Sequence, residues 1–241
     1  MQRIDIYLAE KKYCISRNRA KELIKLGLVT LNGKIVDKCS IKVDESDEIF
    51  VKDDIKYVSR AGLKLKEAIS EFKIDLDNKI CMDIGASTGG FTEVMLECNA
   101  NLIYAIDVGT NQLSKKLLSN KKVISIENQN FRYYDNIEIY GKIDFITIDV
   151  SFISLKKIIM NTTKFLANDG EMVVLIKPQF EVGREFLNKN GIVNNIKLHK
   201  QVLTDIENEF LINGLYVERI IQSPIKGSDG NIEYLAFVKR K

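Results

Sequence analysis

Short apolar runs separated by longer helical patterns make up most of the chain from residue 60 onward. The runs are rich in Val and Ile and read KICMDIG, NLIYAIDVG, KVISIE, IDFITIDV, EMVVLIKP, LYVERIIQS and IEYLAFVKR. Strands that are buried on both faces and joined by helices have this composition. Because only a short link separates the last two runs, we expect them to form a hairpin at one edge. The pattern therefore predicts an α/β domain with a mostly parallel, seven-stranded sheet.

The N-terminal part of the chain has a different pattern. Apolar residues in SRNRAKELIKLG recur at helical spacing, and LVTLNGKIVD follows, in which Asn32-Gly33 lies between two β-prone runs. Asn-Gly in this position is typical of a two-residue hairpin. We predict two helices, a hairpin and a later strand in DEIFV, followed by a short linker at residues 52–58. The predicted domains are residues 1–57 and 58–241.

Positive charge is concentrated at the N-terminus. The whole chain carries a net charge of +3, whereas its first 43 residues hold ten basic and four acidic side chains, a surplus of six. Arg17, Lys21 and Lys25 lie four residues apart on the predicted helix and form one row. Such a row is more often a solvated face than a binding site, so charge alone does not identify a ligand.

Several protein classes are disfavoured by the composition. No apolar run at either end reaches the 18 residues of a membrane span, and charges interrupt MQRIDIYLAEKKY, where a secretory signal needs an apolar segment. We therefore expect a cytoplasmic protein without a membrane partner. Cys14, Cys39, Cys81 and Cys98 form no C-x-x-C pair, and His199 is the one histidine that could join them. No metal site is expected.

The stretch DIGASTGGFT after the first apolar run fits two kinds of site. Ser87 lies in a G-x-S-x-G pattern, and Asp149 and His199 complete the order Ser, Asp, His of α/β-hydrolases. His199, however, lies in the amphipathic helical pattern NIKLHKQVLTDIENEF, whereas a triad histidine belongs on a loop after a strand. The hydrolase interpretation also leaves Asp83 and Asp107 without roles, and we disfavour it.

The second interpretation is a turn that holds a nucleoside cofactor. The glycines let the backbone turn tightly beside a ligand. Asp107 ends the next apolar run, and its carboxylate can accept hydrogen bonds from ribose hydroxyls. Because the spacing departs from G-x-G-x-x-G, a dinucleotide is disfavoured and S-adenosylmethionine is favoured. A plain strand-turn-helix with glycines for packing remains the alternative. The predicted cofactor-binding residues are Asp83, Gly85, Ser87, Gly89, Gly90, Phe91, Asp107 and Asp149.

The N-terminal run RIDIYL, continued by SRNRAKELIKLGLVTLNGKIV, resembles a small α+β RNA-binding module, the S4-like domain, which many pseudouridine synthases share. This resemblance implies contacts with RNA phosphates that position the substrate without reading much sequence. The residues that it would place against RNA are Arg3, Arg17, Arg19, Lys21, Lys25 and Lys34.

Four charged residues in the second domain complete a K-D-K-E set: Lys64, Asp149, Lys177 and Glu233. With them the domain resembles the FtsJ-type ribose 2′-O-methyltransferases, which are Rossmann-like enzymes that use S-adenosylmethionine. The whole chain is similar to the TlyA family in the blocks SRAGLKL, DIGASTGGFT, DVSFISL, KPQFEVG and GNIEY. Members are described both as hemolysins and as ribosomal RNA 2′-O-methyltransferases that act on cytidine.

The resemblance implies an enzyme that methylates ribosomal RNA or a ribosomal subunit. It does not give the oligomeric state, for which we expect a monomer. Lys177 would orient and activate the 2′-hydroxyl with Lys64 as a second cation, while Asp149 and Glu233 would hold the lysines and balance their charge. A membrane-lytic protein and an RNA-binding protein without catalysis remain as alternatives. Members that modify both subunits tend to have extra residues at both ends, and this chain runs from MQRIDIYL to shortly after GNIEYLAFV. Large-subunit RNA is therefore the expected target.

Overall fold

The computed structural model describes residues 1–14, 17–52, 57–227 and 229–241. It divides into two compact units, Met1–Lys56 and Tyr57–Lys241, and each is described by itself. Most of the linker predicted at residues 52–58 falls outside the described residues. In the described ranges, no helix combines the length and the apolar character needed to cross a membrane.

The N-terminal unit contains two helices and five short strands in its described part. They are β1 (Gln2–Arg3), α1 (Ile4–Glu10), α2 (Arg17–Lys25), β2 (Val29–Leu31), β3 (Lys34–Ile35), β4 (Lys42–Val43) and β5 (Ile49–Val51). β1 pairs with β4, and β2 lies between β3 and β5 in an antiparallel sheet. Buried side chains of α1, α2 and β2, among them Leu8, Leu23 and Val29, form the small core.

Asn32 and Gly33 connect β2 to β3 in the hairpin that the sequence predicts. Leu31 and Lys34 are directly paired on either side of the turn. Asn32 has a φ of 50° and Gly33 a φ of 75°, and positive φ at both central residues is what a type I′ turn requires. The prediction of a hairpin is confirmed.

The C-terminal unit consists of a large sheet with helices between its strands. Its strands are β6 (Ile80–Ile84), β7 (Leu102–Ile106), β8 (Val123–Ile126), β9 (Ile143–Ile148), β10 (Leu166–Ile176), β11 (Leu215–Gln222) and β12 (Tyr234–Arg240). Its α-helices are α3 (Ala61–Phe72), α4 (Gly90–Glu97), α5 (Lys115–Leu118), α6 (Lys156–Phe165), α7 (Pro178–Glu181) and α8 (Ile196–Ile212). Short 3₁₀-helices cover Phe131–Tyr133, Ile137–Ile139 and Arg184–Phe186.

The strand order of the large sheet is β11-β12-β10-β9-β6-β7-β8. The five strands from β10 to β8 are parallel to one another, and β12 is antiparallel to both of its neighbours. The prediction of a mostly parallel, seven-stranded sheet with a hairpin at one edge is confirmed.

Apolar side chains cover both faces of this sheet, because residues alternate between the faces along each strand. Phe145 of β9 packs into one layer with Leu65 of α3, while its neighbour Ile146 packs into the other layer with Phe165 and Ile206. In a parallel sheet the carboxyl ends lie along one edge, and this edge holds the candidate site.

Candidate active site

The turn after β6 brings the chain close to β9. Gly85 has a φ of 83°, and a Cβ at this position would collide with the backbone carbonyl oxygen of Asp149. The backbone N–H groups of Gly85 and Ala86 both donate to the carbonyl of Ile106, at 2.8 and 3.1 Å. Ser87 follows with a φ of 49° and an exposed side chain. Glycine is needed here for both conformation and space.

Two adjoining cavities open beside this turn, with volumes of about 210 and 520 Å³. Both are lined by Gly85, Ser87, Asp149 and Ser151. The smaller cavity is also lined by Gly90, Phe91 and Lys177, and the larger one by Asp107, Phe131 and Ile158. The larger volume is that of a small-molecule or cofactor site. Six of the eight predicted cofactor-binding residues thus line a cavity.

Asp107 lies directly after β7 on the wall of the larger cavity. Its Oδ2 accepts a hydrogen bond from the backbone N–H of Ser87 at 2.7 Å, and its Oδ1 accepts one from Gly109 at 2.7 Å. A carboxylate has about four acceptor sites, so each oxygen can accept a second hydrogen bond from a ligand. Ile106 and Phe131 supply an apolar surface nearby. The larger cavity therefore suits a ribose joined to a flat base.

Asp83 and Gly89 are the predicted cofactor-binding residues that lie behind the turn. Asp83 is buried in β6, where Thr92 and Thr147 donate their hydroxyl groups to it at 2.6 and 2.9 Å. Burial raises its pKa to about 6, because the charged carboxylate loses hydration. Gly89 packs against Leu117. Both residues hold α4 and the turn in place, and neither reaches the cavities described here.

Lys177 and Asp149 form an ion pair on the wall of the smaller cavity. Asp149 follows β9 and Lys177 follows β10, and their Nζ and Oδ1 atoms lie 2.6 Å apart. The same Nζ donates to the hydroxyl of Ser151 at 2.9 Å. The side chains are 11% and 16% exposed. Pro178 begins α7 and ends the strand, which fixes the lysine at the sheet edge.

Lys64 and Glu233 form a second ion pair of the same length. Nζ of Lys64, on α3, lies 2.6 Å from Oε2 of Glu233, just before β12, and these side chains are only 9% and 3% exposed. The side-chain amide of Gln179 lies 3.5 Å from the other carboxylate oxygen. Lys64 and Glu233 line neither of the two cavities. The four residues predicted to be catalytic therefore form an open pair, Lys177–Asp149, and a buried pair, Lys64–Glu233.

The hydrolase interpretation does not agree with the position of His199. This residue is buried in α8, with Nε2 2.8 Å from the carbonyl oxygen of Val193 and Nδ1 3.0 Å from the hydroxyl of Tyr234. A carbonyl only accepts, so Nε2 carries the proton and Nδ1 accepts from Tyr234. With both ring nitrogens occupied in this way, His199 cannot serve as a base for Ser87.

Two groups of cavity residues follow strands and were not predicted from the sequence. Gln129, Asn130 and Phe131 come after β8, and Ser151 and Phe152 come after β9. They could have been found by the rule that points to Asp107 and Asp149, since all of them follow the carboxyl end of a parallel strand. In the described part of the chain, no three His, Cys, Asp or Glu side chains are grouped to hold a metal ion.

Phe152 is the most exposed large apolar side chain of the described residues, at 92%. Its ring packs against Phe180 with the centroids 5.1 Å apart, and its φ is 63°. Glu181 ties the same loop to α7, because its carboxylate accepts from Ser154 and from the backbone N–H of Leu155. The aromatic face of Phe152 is thus held in solvent beside the larger cavity.

The predicted RNA-facing residues lie in the N-terminal unit. Those that reach its surface are Arg3, Arg17, Lys21, Lys25 and Lys34. Arg19 differs from them, because it is buried. The row on α2 therefore consists of Arg17 and Lys25, which are exposed, and Lys21, which is half-buried, and Arg19 is not part of it.

Comparisons with known proteins match the two parts of the chain to two different families. The FtsJ-like methyltransferase family matches residues 57–240, and the S4 domain family matches residues 2–49. Hemolysin A of Brachyspira hyodysenteriae is 43% identical over 97% of this chain and 98% of its own length. A 23S rRNA (cytidine-2′-O)-methyltransferase TlyA of Campylobacter jejuni is 38% identical over 98% of both chains. The solved structure of a hemolysin candidate from Streptococcus thermophilus has a TM-score of 0.80 and 42% identity, covering 100% of this chain and 88% of that one.

Proposed function

The chain belongs to the TlyA family of FtsJ-like methyltransferases with an S4 domain, and on this premise we propose that it methylates the 2′-hydroxyl of a cytidine in ribosomal RNA. The observation that carries the proposal is the open pair, Lys177–Asp149, on the wall of a cavity that adjoins the cofactor turn. We expect the reaction in the cytoplasm, where ribosomes assemble. The name of the Campylobacter relative supports ribosomal RNA as the substrate.

The residues of the two cavities fit S-adenosylmethionine. Asp107 offers free acceptor positions for ribose hydroxyls, and Phe131 and Ile158 offer an apolar surface for the adenine base. A side chain at Gly85 would collide with the backbone of Asp149, so glycine lets the turn pack closely against the end of β9 at the wall of both cavities. When bound, S-adenosylmethionine supplies the methyl group that is transferred.

Lys177 is placed to act on the hydroxyl that receives the methyl group. A ribose hydroxyl is a poor nucleophile at neutral pH, so it must share or lose its proton as it attacks. The lysine ammonium has three N–H donors, and two of them are directed at Asp149 and Ser151. The third remains for the substrate oxygen. Lys177 thus orients the hydroxyl and stabilises its developing negative charge, while Asp149 holds the lysine.

The buried pair, Lys64–Glu233, supports this arrangement from outside the cavities. Glu233 lies 3.5 Å from the amide of Gln179, two residues after Lys177. The pair therefore connects α3, the start of β12 and the segment that carries the reactive lysine. We assign to Lys64 and Glu233 the role of positioning residues.

Phe152 is a candidate platform for the target base. Exposed aromatic rings bind unstacked bases by stacking, which is tolerant of base identity. The ring is held by Phe180 and lines the same cavity as Asp149, so a base stacked on it would bring its ribose toward the open pair. The exposed cations of the N-terminal unit would hold the RNA backbone by phosphate contacts.

Transfer of labelled methyl groups to ribosomal subunits, followed by digestion to nucleosides, tests the proposal. We expect label in 2′-O-methylcytidine. Calorimetry should detect binding of S-adenosylmethionine and no binding of a nicotinamide dinucleotide. Label in a base, or absence of S-adenosylmethionine binding with and without RNA, would contradict the proposal. Leakage of lipid vesicles by a protein that transfers no methyl group would favour a lytic activity instead.

A further inference from the structure

A carboxylate in the N-terminal unit is enclosed by two arginines. Nε of Arg3 lies 2.9 Å from Oδ1 of Asp5, and its Nη2 lies 3.3 Å from Oδ2. Nε of Arg17 lies 2.9 Å from the same Oδ2. The Asp5 side chain is 0% exposed, whereas those of Arg3 and Arg17 are 42% and 50% exposed. The buried acid therefore holds two cations that both reach solvent.

The fold brings these residues together from separate elements. Arg3 ends β1, Asp5 lies in the first turn of α1, and Arg17 begins α2, which packs against α1. An acid is favoured in a first helical turn by the exposed backbone N–H groups. The pKa of Asp5 falls to about 2, chiefly because Arg3 donates to it and also because Arg17 does. The carboxylate thus stays charged at any physiological pH.

The charges and donors of this group fit a phosphate. Two guanidinium groups and one carboxylate leave a surplus of one positive charge, which a phosphodiester would neutralise. Both arginines use Nε to bind Asp5, so among the described residues most of their terminal N–H donors remain available. Arginine binds phosphate through two parallel donors of this kind, which requires a fixed orientation of the guanidinium plane.

We propose that Asp5 is a positioning residue that fixes Arg3 and Arg17 as one fork for a phosphate of the RNA backbone. The inference rests on the RNA-binding part of the proposed function. Long arginine side chains lose conformational freedom when they bind, and the carboxylate imposes that loss before RNA arrives. Asp5 itself does not touch RNA, because both arginines cover it.

The substitution Asp5→Asn separates a positioning role from a simple effect of net charge, because the two predict opposite changes in the affinity for RNA. Removing a negative charge near RNA should strengthen binding if only net charge matters. We expect the opposite, an affinity for ribosomal RNA about tenfold weaker, because the arginines lose their fixed orientation. Glu10→Gln is the matched control. Glu10 is exposed on the same helix, accepts a hydrogen bond from the side chain of Gln2, and gives the same charge change. Its affinity should equal or exceed that of the wild type.

Methyl transfer supplies a readout that general destabilisation would not produce. For Asp5→Asn we expect KM for RNA to rise with kcat unchanged at saturating RNA, and the affinity for S-adenosylmethionine to stay the same. In a protein that carries Arg3→Gln and Arg17→Gln, adding Asp5→Asn should not weaken RNA binding any further. An Asp5→Asn protein that binds RNA as tightly as the wild type overturns the inference. Absence of RNA binding by the wild type would instead overturn the proposed function.

A second set of variants applies if circular dichroism shows that Asp5→Asn unfolds the N-terminal unit. If the arginines act as one fork, Arg3→Gln and Arg17→Gln should each weaken RNA binding almost as much as the double variant does. If the fold-loss of RNA affinity in the double variant equals the product of the two single losses, the arginines make independent phosphate contacts, and the inference is overturned.

Discussion

The open pair, Lys177–Asp149, and the buried pair, Lys64–Glu233, have the same chemistry and the same length, 2.6 Å. They differ in their surroundings. The open pair lines a cavity and shares its lysine with Ser151, whereas the buried pair lies between α3 and β12 with both side chains almost fully enclosed.

This difference assigns different work to the two lysines. A substrate can approach Lys177, which keeps a donor for it. Lys64 is enclosed with Glu233. Removing one partner of a buried ion pair leaves the other charge buried and unpaired, which destabilises the fold. Residue type therefore does not separate the reacting lysine from the supporting one, but access to the cavity does.

The largest expected effect is on the open pair. Lys177→Ala should lower kcat for methyl transfer by about 10³-fold, because the lysine acts on the reacting hydroxyl. Affinities for S-adenosylmethionine and RNA should change little, as measured by calorimetry and filter binding. Lys157→Ala, at an exposed position of α6, is the control and should transfer at the wild-type rate. Equal rates for both variants would remove the reactive role from the open pair.

Breaking the buried pair should affect stability first. Lys64→Met leaves the Glu233 carboxylate buried without its cation and should lower the free energy of unfolding by about 3 kcal/mol. Replacing both residues by methionine should restore most of that loss, which denaturant unfolding of the two variants measures. The comparison between the pairs fails if the doubly substituted protein is folded but transfers as slowly as Lys177→Ala.

The platform beside the open pair should contribute less than the lysine. Phe152→Ala should lower kcat/KM for RNA about tenfold, since stacking of one base contributes about 1–3 kcal/mol. Phe152→Trp keeps an aromatic face and should retain most of the activity in the same steady-state assay. If the alanine variant is as active as the wild type, the exposed ring does not hold the target base.

Asp83 extends the comparison to a buried carboxylate that accepts from two threonine hydroxyls. Its pKa is raised from 3.8 to about 6, so the folded protein takes up a proton as the pH falls through about 6. The free energy of unfolding should therefore rise by about 1 kcal/mol as the pH falls from about 7 to about 5. The gain is lost again as the pH rises through about 6. Denaturant unfolding across this range should show the rise in the wild type and not in Asp83→Asn. If the free energy of unfolding depends on pH in the same way in both proteins, Asp83 is not the group that causes the rise.

The sequence predicts those features that depend on local pattern. Apolar runs rich in β-branched residues predict the sheet, and Asn32-Gly33 predicts the hairpin because few other residues adopt positive φ in succession. The sequence also predicts Asp107, Asp149 and Lys177 as site residues, because each follows a parallel strand and the carboxyl ends of such strands lie together. These inferences need no knowledge of distant contacts.

Features that depend on packing between distant segments could not be predicted in this way. Asp83 and Asp107 look alike as acids near strand ends, yet only the packing of Thr92 and Thr147 shows that Asp83 is buried. Arg19 is likewise buried in a helix whose basic residues otherwise reach the surface. The separation of the two lysines depends on where α3 and β12 meet, which the linear pattern does not contain.

Single-turnover transfer of labelled methyl to ribosomal RNA tests the central claim most directly. Three proteins are compared at saturating S-adenosylmethionine: the wild type, Lys177→Ala, and the protein with methionine at both positions of the buried pair. We predict 2′-O-methylcytidine from the wild type, about 10³-fold slower formation by Lys177→Ala, and formation within about tenfold of the wild type by the third protein. A Lys177→Ala protein that forms the product at the wild-type rate would contradict the account.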